Sequence, residues 1–330
     1  MKALILAGGF GTRLRPLTNH RPKHLLPIAN RPHVEHVFDL LLAQNVREVV
    51  LATSYLAHHF DEVVERAAGR GLEFRVTLED EPLGTAGAIK HAAAELGEDR
   101  FLVFNGDILT DVDLGGLIAF HTGKGAELTI LLTPVEDPSA FGVVPTEPDG
   151  RIRAFIEKPP RDEAPTNLIN AGIYVLEPSI LDRIPPGKVW SAERQLFPGL
   201  VEEGAALYAM GTDAYWMDIG TPAKYLEANR DALAGRFTTD AVPAPGESAN
   251  VIADDADVSP GATVVSSSVG AGAVIEDGCV VERSVLLPFA RVTGGARVAD
   301  CILGESSVVS ERKFTDETIE DGAVMAGSDT

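Results

Sequence analysis

The chain has 330 residues, enough for two domains, and 45% of them are hydrophobic, which is ample for a sizeable core. Its 49 acidic side chains against 28 basic ones give a net charge of −21, which argues against non-specific binding of nucleic acid or of an anionic membrane. A phosphate substrate is not excluded, because a site needs local cations only. Two cysteines, Cys279 and Cys301, make neither a disulfide framework nor a metal spacing. The apolar start stops at Gly8, so no secretory signal or membrane span is visible, and a cytoplasmic protein is expected.

From the N-terminus, Ala3 to Ala7 reads as a short buried strand. It runs into Gly8, Gly9, Phe10, Gly11, Thr12 and Arg13, a turn whose backbone N–H groups can approach an anion and whose Arg13 adds a phosphate fork. Lys23 follows between Pro22 and the apolar Leu25, Leu26 and Pro27, as a second cation for the same anion. A Walker loop is excluded because Gly11 is followed by Thr12 and Arg13 rather than by Lys and Ser or Thr. A dinucleotide fingerprint is excluded because Leu14 stands where a third small residue is required. A tight turn that binds nothing would explain the glycines but not Arg13, Arg15 and Lys23 together.

The run AGGFGTRLRPLT followed by RPKHLLP resembles the opening of the sugar nucleotidyltransferases, the enzymes that make nucleoside-diphosphate sugars from an NTP and a sugar 1-phosphate. The resemblance implies nucleotide contacts at Leu6, Ala7, Gly8, Gly9, Gly11, Thr12, Arg13 and Lys23. It also implies a Rossmann-like, mostly parallel mixed sheet with helices on both faces.

Helical spacing of Val34, Val37, Phe38, Leu41 and Leu42 predicts a helix over His33 to Asn45. Strands are expected at Glu48–Thr53, Phe74–Leu78 and Phe101–Phe104, and helices at His58–Ala68 and Ala86–Leu96. Such alternation means a parallel α/β sheet with ligands at the carboxyl ends of its strands. The eight histidines, all at or before His121, show no metal-ligand arrangement and are expected to be partly exposed.

In the loop after Leu78, Gly84 and Gly87 would admit a flat ligand and Thr85 could cap the next helix. An ordinary strand-to-helix connection is the alternative, and for Glu79 a solvated acid beside Asp80 and Glu81. By resemblance the loop surrounds the nucleobase, which makes Glu79, Gly84, Thr85, Ala86 and Gly87 base-recognition candidates. Asp107, after Asn105 and Gly106 at a strand end, is a turn aspartate or a ligand for a hard cation. The resemblance implies the latter.

Further strands are expected at Leu128–Thr133, Phe141–Val144, Ile152–Ile156 and Ala206–Met210, with a helix over Glu193–Val201 interrupted at Pro198. Glu157 and Lys158 before Pro159 could be an exposed ion pair. The resemblance places Lys158 on the sugar phosphate and Glu157 on sugar hydroxyls, with Gly142, Asn170 and Gly172 in the sugar site. Thr221 and Pro222 start a helix to Leu233. The family's second metal ligand falls on Asp218, so Mg²⁺ would be held by Asp107 and Asp218, and Arg13, Lys23, Asp107, Lys158 and Asp218 would carry the catalysis.

Gly235 to Asn250 reads as a linker. Beyond it Ile252, Val258 and Val264 stand six apart, and Val269, Ile275, Val281 and Leu287 continue after one five-residue step. This hexapeptide rhythm, blurred at Arg291, predicts a short left-handed parallel β-helix of about four coils at about 18 residues each, enclosing the cysteines. The expected organisation is a catalytic domain 1–234, a linker 235–250 and a β-helix 251–330. The β-helix is expected to join subunits into a homo-oligomer, and truncation near Gly235 to leave the active-site residues intact.

Hexapeptide acyltransferases are disfavoured because no histidine base follows His121. A non-catalytic nucleotide-sugar-binding regulator is disfavoured by Asp107, Lys158 and Asp218. The motifs LGTAG, Asn170-Ala171-Gly172 and Trp216-x-Asp218-Ile219-Gly220, with the short β-helix, look most like the GDP-mannose pyrophosphorylases, which join GTP and mannose 1-phosphate. Thymidylyl- and uridylyltransferases acting on glucose 1-phosphate share the framework, and a manno-heptose 1-phosphate guanylyltransferase is a further alternative.

Overall fold

The computed structural model describes residues 1–54 and 56–326. It divides into two compact units, one of Met1–Gly9 and Val37–Trp216, the other of Phe10–His36 and Met217–Thr330. The glycine-rich segment is thus split at Gly9.

The first unit begins with β1 (Lys2–Leu6). Helix α1 (His33–Ala43) leads into β2 (Glu48–Thr53), α2 (Asp61–Gly69) and β3 (Glu73–Leu78). Then come α3 (Gly84–His91), β4 (Phe101–Asn105), α4 (Leu114–Lys124), β5 (Leu128–Pro134), β6 (Gly142–Val143), β7 (Ile156–Glu157) and β8 (Leu168–Leu176). Helix α5 (Phe197–Glu202) and β9 (Leu207–Gly211) complete the unit. The nine-stranded sheet runs β7-β6-β8-β4-β1-β2-β3, with β5 against β8 and β9 against β5. β4, β1, β2 and β3 are parallel, whereas β8 is antiparallel to both β4 and β5.

Both faces of the sheet are covered. Ala3, Leu4 and Ile5 are successive residues of β1 pointing to alternate faces, and all are fully buried. Leu4, Leu128 and Ile130 share one core with Ala86 and Ile89 of α3. Thr129 points the other way, and its hydroxyl meets His121 Nδ1 of α4 at 2.9 Å, which puts α4 on the opposite face.

Several local expectations are corrected. Thr85 lies inside α3 rather than capping it, and its hydroxyl donates to the Glu193 carboxylate at 3.1 Å. The strand expected over Ile152–Ile156 is reduced to bridges at Arg151 and Ile152 and to β7. Pro198 does not interrupt a helix; a π-helical turn, Ala192–Leu196, gives way to α5, whose first turn holds the proline. His24, His33, His36 and His121 are buried rather than partly exposed.

In the second unit Thr221 caps α6 (Pro222–Ala234), and Gly235 ends it in the left-handed conformation. The segment after Gly235 is packed rather than a free tether. Phe237 and Val242 are buried, and the Phe237 ring meets His36 edge-on at 5.4 Å between centroids. A three-faced parallel β-helix follows. Val251 pairs with Ser268, Ser268 with Val285 and Val285 with Ile302, each 17 residues on, and Ile302 with Thr318, 16 on. The coil is therefore shorter than 18 residues. Val269, Ile275, Val281, Leu286, Val292, Val298, Leu303 and Val309 share its core, so the five-residue step recurs once per coil. At Arg291 the rhythm is continued by its neighbour Val292, while Arg291 itself is exposed. Both cysteines are buried in the same core, and burial pushes the Cys301 thiol up.

Phe10–His36 belongs with this β-helix. Asn30 Nδ2 donates to the carbonyls of Val251 (3.2 Å) and Val269 (2.6 Å). Tyr225 and Asn229 of α6 both donate to the Pro27 carbonyl, at 2.7 and 3.4 Å. Truncation near Gly235 would keep the α6 bonds and remove those of Asn30 to Val251 and Val269.

The turns of the coil are tight. A Cβ on Gly270 would stand 2.8 Å from the Leu286 carbonyl oxygen and 2.9 Å from Pro288 N, both backbone atoms of the next coil. Gly270→Ala is expected to destabilise the β-helix by about 1–3 kcal/mol, the usual scale of an overpacked site. Denaturant unfolding should show this as a lower midpoint with an unchanged slope.

Candidate active site

At the carboxyl ends of β1, β2 and β4 the first unit holds a cleft of about 310 Å³. It is lined by Leu6, Gly8, Gly9, Ala52, Glu79, Pro82, Gly84, Thr85, Ala88, Asn105, Gly106 and Asp107. This is the place where parallel α/β sheets take ligands, because loops diverge there and helix starts face inward. Gly8 and Gly9 leave the cleft open on the β1 side, with the Gly8 carbonyl accepting from Ser54 Oγ at 2.9 Å.

Glu79 is not a solvated acid beside Asp80 and Glu81. It is 5% exposed, and its Oε2 accepts from the Leu83 N–H at 2.7 Å. That bond orients the carboxylate and leaves lone pairs on Oε1 for a ligand, since a carboxylate has about four acceptor positions.

Ala86 and Gly87, expected at the nucleobase, face the protein instead. Their N–H groups both donate to the Trp190 carbonyl at 3.0 Å. A Cβ on Gly87 would lie 2.7 Å from the Lys188 carbonyl oxygen, so this glycine admits the 188–190 segment, not a flat ligand. Gly84 and Thr85 remain at the cleft. Ala7 is buried and donates its N–H to Ala52, and Leu6 lines the cleft.

A second group of expected residues stands on β6, β7 and β8. Glu157 is partly buried, with Lys158 Nζ 3.7 Å away and more exposed. Burial pushes the Glu157 carboxyl above its ordinary range, Lys158 opposing and Glu193 adding to the rise. Asn170 uses both ends of its amide to shape a bulge in β8: Nδ2 donates to Tyr174 Oη at 2.8 Å, and Oδ1 accepts from Gly172 N at 2.9 Å. Gly142 does not leave room for a sugar at its Cα, because a Cβ there would stand 2.5 Å from the Phe155 ring. Any sugar contact it makes is through its backbone.

The second unit holds Arg13 and Lys23. Gly11, Thr12, Arg13, Leu14, Lys23 and Gly220 line a hollow of about 110 Å³. Thr18 Oγ1 donates to the Gly11 carbonyl at 2.8 Å, which fixes the turn. Arg13 Nη2 and Asp218 Oδ1 both lie close to Gly220, 2.7 and 2.8 Å from where its Cβ would be. Lys224 Nζ is 3.9 Å from Asp218 Oδ2.

Residues missed in the sequence include Asn105, Glu193, Lys224 and Gly220. Lys224 had a legible signal, being three residues after the Thr221 cap and hence in the first turn of α6, beside what precedes the cap. Glu193 had none, since only the tertiary fold brings it to Thr85. Oδ1 of Asn105 is buried and has no hydrogen-bond partner among the described residues.

The Nucleotidyl transferase family model matches residues 2–235, and a GlmU-like, C-terminal hexapeptide model matches 234–322, the latter in keeping with a left-handed coil. A mannose-1-phosphate guanylyltransferase of Mycobacterium tuberculosis is 39% identical over 89% of this chain and 81% of its own length. A probable mannose-1-phosphate guanylyltransferase 2 of Arabidopsis thaliana is 40% identical over 94% of this chain and 86% of its own. Among solved structures, HddC from Yersinia pseudotuberculosis, complexed with GMP-PN, superposes with a TM-score of 0.60 at 30% identity, covering 70% of this chain and 98% of that one.

The two neighbours of Glu157 should move its titration in opposite directions. Lys158→Met removes a cation and should raise the Glu157 pKa further, whereas Glu193→Gln removes an anion and should lower it. A pH titration of the Glu157 carboxyl ¹³C resonance reads both shifts.

Proposed function

Because this chain belongs to the nucleotidyl transferase family, we propose that it joins GTP and mannose 1-phosphate to give GDP-mannose and pyrophosphate. The observation that carries the reading is the buried, oriented Glu79 in a cleft at the strand ends, together with relatives named mannose-1-phosphate guanylyltransferase. An oxygen of the sugar phosphate attacks the α-phosphorus in line. The new P–O bond forms as the bond to the β-phosphate bridge breaks, and pyrophosphate leaves with the electron pair. No side-chain nucleophile is required, so the residues act by positioning and by neutralising charge.

On this reading Leu6, Gly8, Gly9, Gly84 and Thr85 enclose the nucleoside, and Gly11, Thr12, Arg13 and Lys23 hold the triphosphate and the departing pyrophosphate. Lys158 fixes the attacking phosphate, with Glu157, Asn170, Gly172 and the backbone of Gly142 toward the sugar. The carboxylates of Asp107 and Asp218 are the ligands we assign to Mg²⁺, which when bound orients the phosphates and offsets their charge. The donors suit a hard cation: both are carboxylates, the unpartnered Asn105 oxygen lies two residues before Asp107, and no sulfur or imidazole is among them. The catalytic domain is 1–234, the connection 235–250, and the β-helix 251–330 joins copies of the chain, since a short solenoid leaves coil ends and faces to bury. The cytoplasm is the proposed compartment, in keeping with two free thiols; no described helix is long and apolar enough to cross a membrane.

Pyrophosphate release from GTP, ATP, UTP and dTTP, each paired with mannose and glucose 1-phosphates, tests the assignment. GTP with mannose 1-phosphate should be the best pair, and turnover confined to dTTP or UTP with glucose 1-phosphate would overturn it. Asp107→Asn and Asp218→Asn should each lower kcat by at least about a hundredfold, the scale of removing a key electrostatic group. EDTA should abolish turnover.

Base choice rests on Glu79. Guanine offers N1–H and N2–H₂ side by side, which suit an acceptor, whereas uracil and thymine set a carbonyl oxygen against the charge. A poorly paired buried group costs about 1–3 kcal/mol, so Glu79→Gln should cut the GTP to dTTP ratio of kcat/KM by roughly tenfold or more. Initial rates with the two nucleotides measure it.

A further inference from the structure

Arg21 stands two residues before Lys23, across Pro22, and it is tied to the far end of the β-helix. Its Nη2 reaches Glu305 Oε2 at 2.8 Å and Asp321 Oδ2 at 2.7 Å. The Arg21 and Asp321 side chains are only 14% and 13% exposed, so water screens this pair poorly. Asp321 is itself held, because its Oδ1 accepts from the Glu305 N–H at 2.8 Å on the neighbouring coil. Beside it Asn19 Nδ2 donates to Glu320 Oε1 at 2.8 Å. On the other side of Lys23, Asn30 is bonded to the Val251 and Val269 carbonyls of the first coils. The segment that bears Lys23 is therefore gripped on both flanks by the β-helix, at its last coils and at its first.

Helix α6 is gripped in the same way. Arg230 donates to the Arg283 carbonyl at 3.0 Å and pairs with Asp300, while Asp218 and Lys224 lie just before and within α6. The grip at Arg21 is the more direct, being only two residues along the chain from Lys23.

We propose that the last coils of the β-helix form part of the phosphate site's machinery: Arg21, clamped by Glu305 and Asp321, is a positioning residue that sets where Lys23 and Arg13 stand. Affinity for the nucleoside triphosphate then depends on a clamp in the β-helix. A flexible segment with two cations binds a triphosphate weakly, because both the backbone and the side chains must be ordered by the ligand. Holding the segment in place beforehand removes that cost. The inference rests on the reading that Arg13 and Lys23 bind the triphosphate.

The test uses the full-length chain with Arg21→Met, Asp321→Asn, Glu305→Gln and the exchange pair Arg21→Asp with Asp321→Arg, alongside Lys23→Ala. Arg21→Met and Asp321→Asn should each raise the KM for the triphosphate by roughly tenfold and leave the KM for the sugar phosphate within about twofold. The exchange pair should recover most of the loss. Circular dichroism and thermal unfolding check that the β-helix is intact; should Arg21→Met fail to fold, Asp321→Asn and Glu305→Gln carry the test from the coil side. If Lys23→Ala raises the triphosphate KM while the clamp variants do not, the clamp is overturned and the phosphate reading stands. If Lys23→Ala leaves that KM unchanged, the phosphate reading fails and takes the inference with it. A uniform fall in kcat and rise in both KM values, tracking a lower unfolding midpoint, would mean a merely structural staple and would also overturn it.

Discussion

The segment Phe10–His36 makes turns of its own, with the Leu14 N–H on the Gly11 carbonyl and the Leu26 N–H on the Lys23 carbonyl, but its place in the second unit is set from outside. Pro27, Ala29 and Asn30 are bonded to α6 and to the first coils of the β-helix, and Arg21 to the last coils. A solenoid suits this task because each coil hydrogen-bonds its neighbours along three sheets, giving a rigid edge of fixed carbonyls and carboxylates.

The same economy of charge explains how a chain with a net charge of −21 can handle phosphates. Bulk charge governs encounter and solubility, whereas binding is decided within a few ångströms. Arg13 and Lys23 share one hollow, which Gly220 also lines, and Lys224 stands beside Asp218, so cations gather locally in an acidic chain. Some acidic residues elsewhere are engaged in pairs, as Asp300 is with Arg283 and Arg230, which holds its carboxyl below the ordinary range.

The candidate base and sugar residues, by contrast, stand on a sheet. A side chain at the end of a buried strand is held by the whole ladder, and Glu79 shows the consequence. It follows β3 directly, its N–H bonds the Thr53 carbonyl, and its carboxylate is locked by Leu83. A carboxylate ordered in this way is preorganised, since it is not free to swing into water.

The sequence by itself determined most of the regular elements. The buried run of β1, the strand at Glu48–Thr53, the cap at Thr221 and the six-residue rhythm are local patterns, each written in adjacent residues. Arg13, Lys23, Asp107, Lys158 and Asp218 stand out as candidates because they fall in short motifs that resemble those of the family. Only the tertiary structure decided which groups line the cleft and which face the protein. Ala86 and Gly87 lie within a recognisable motif, yet a segment a hundred residues away, 188–190, takes their N–H groups. Glu193 reaches Thr85, and Arg21 reaches Asp321, across separations that no local pattern encodes. The coil length of 17 rather than 18 was decided in the same way, because parallel pairing of successive coils fixes the register that a sequence rhythm only suggests.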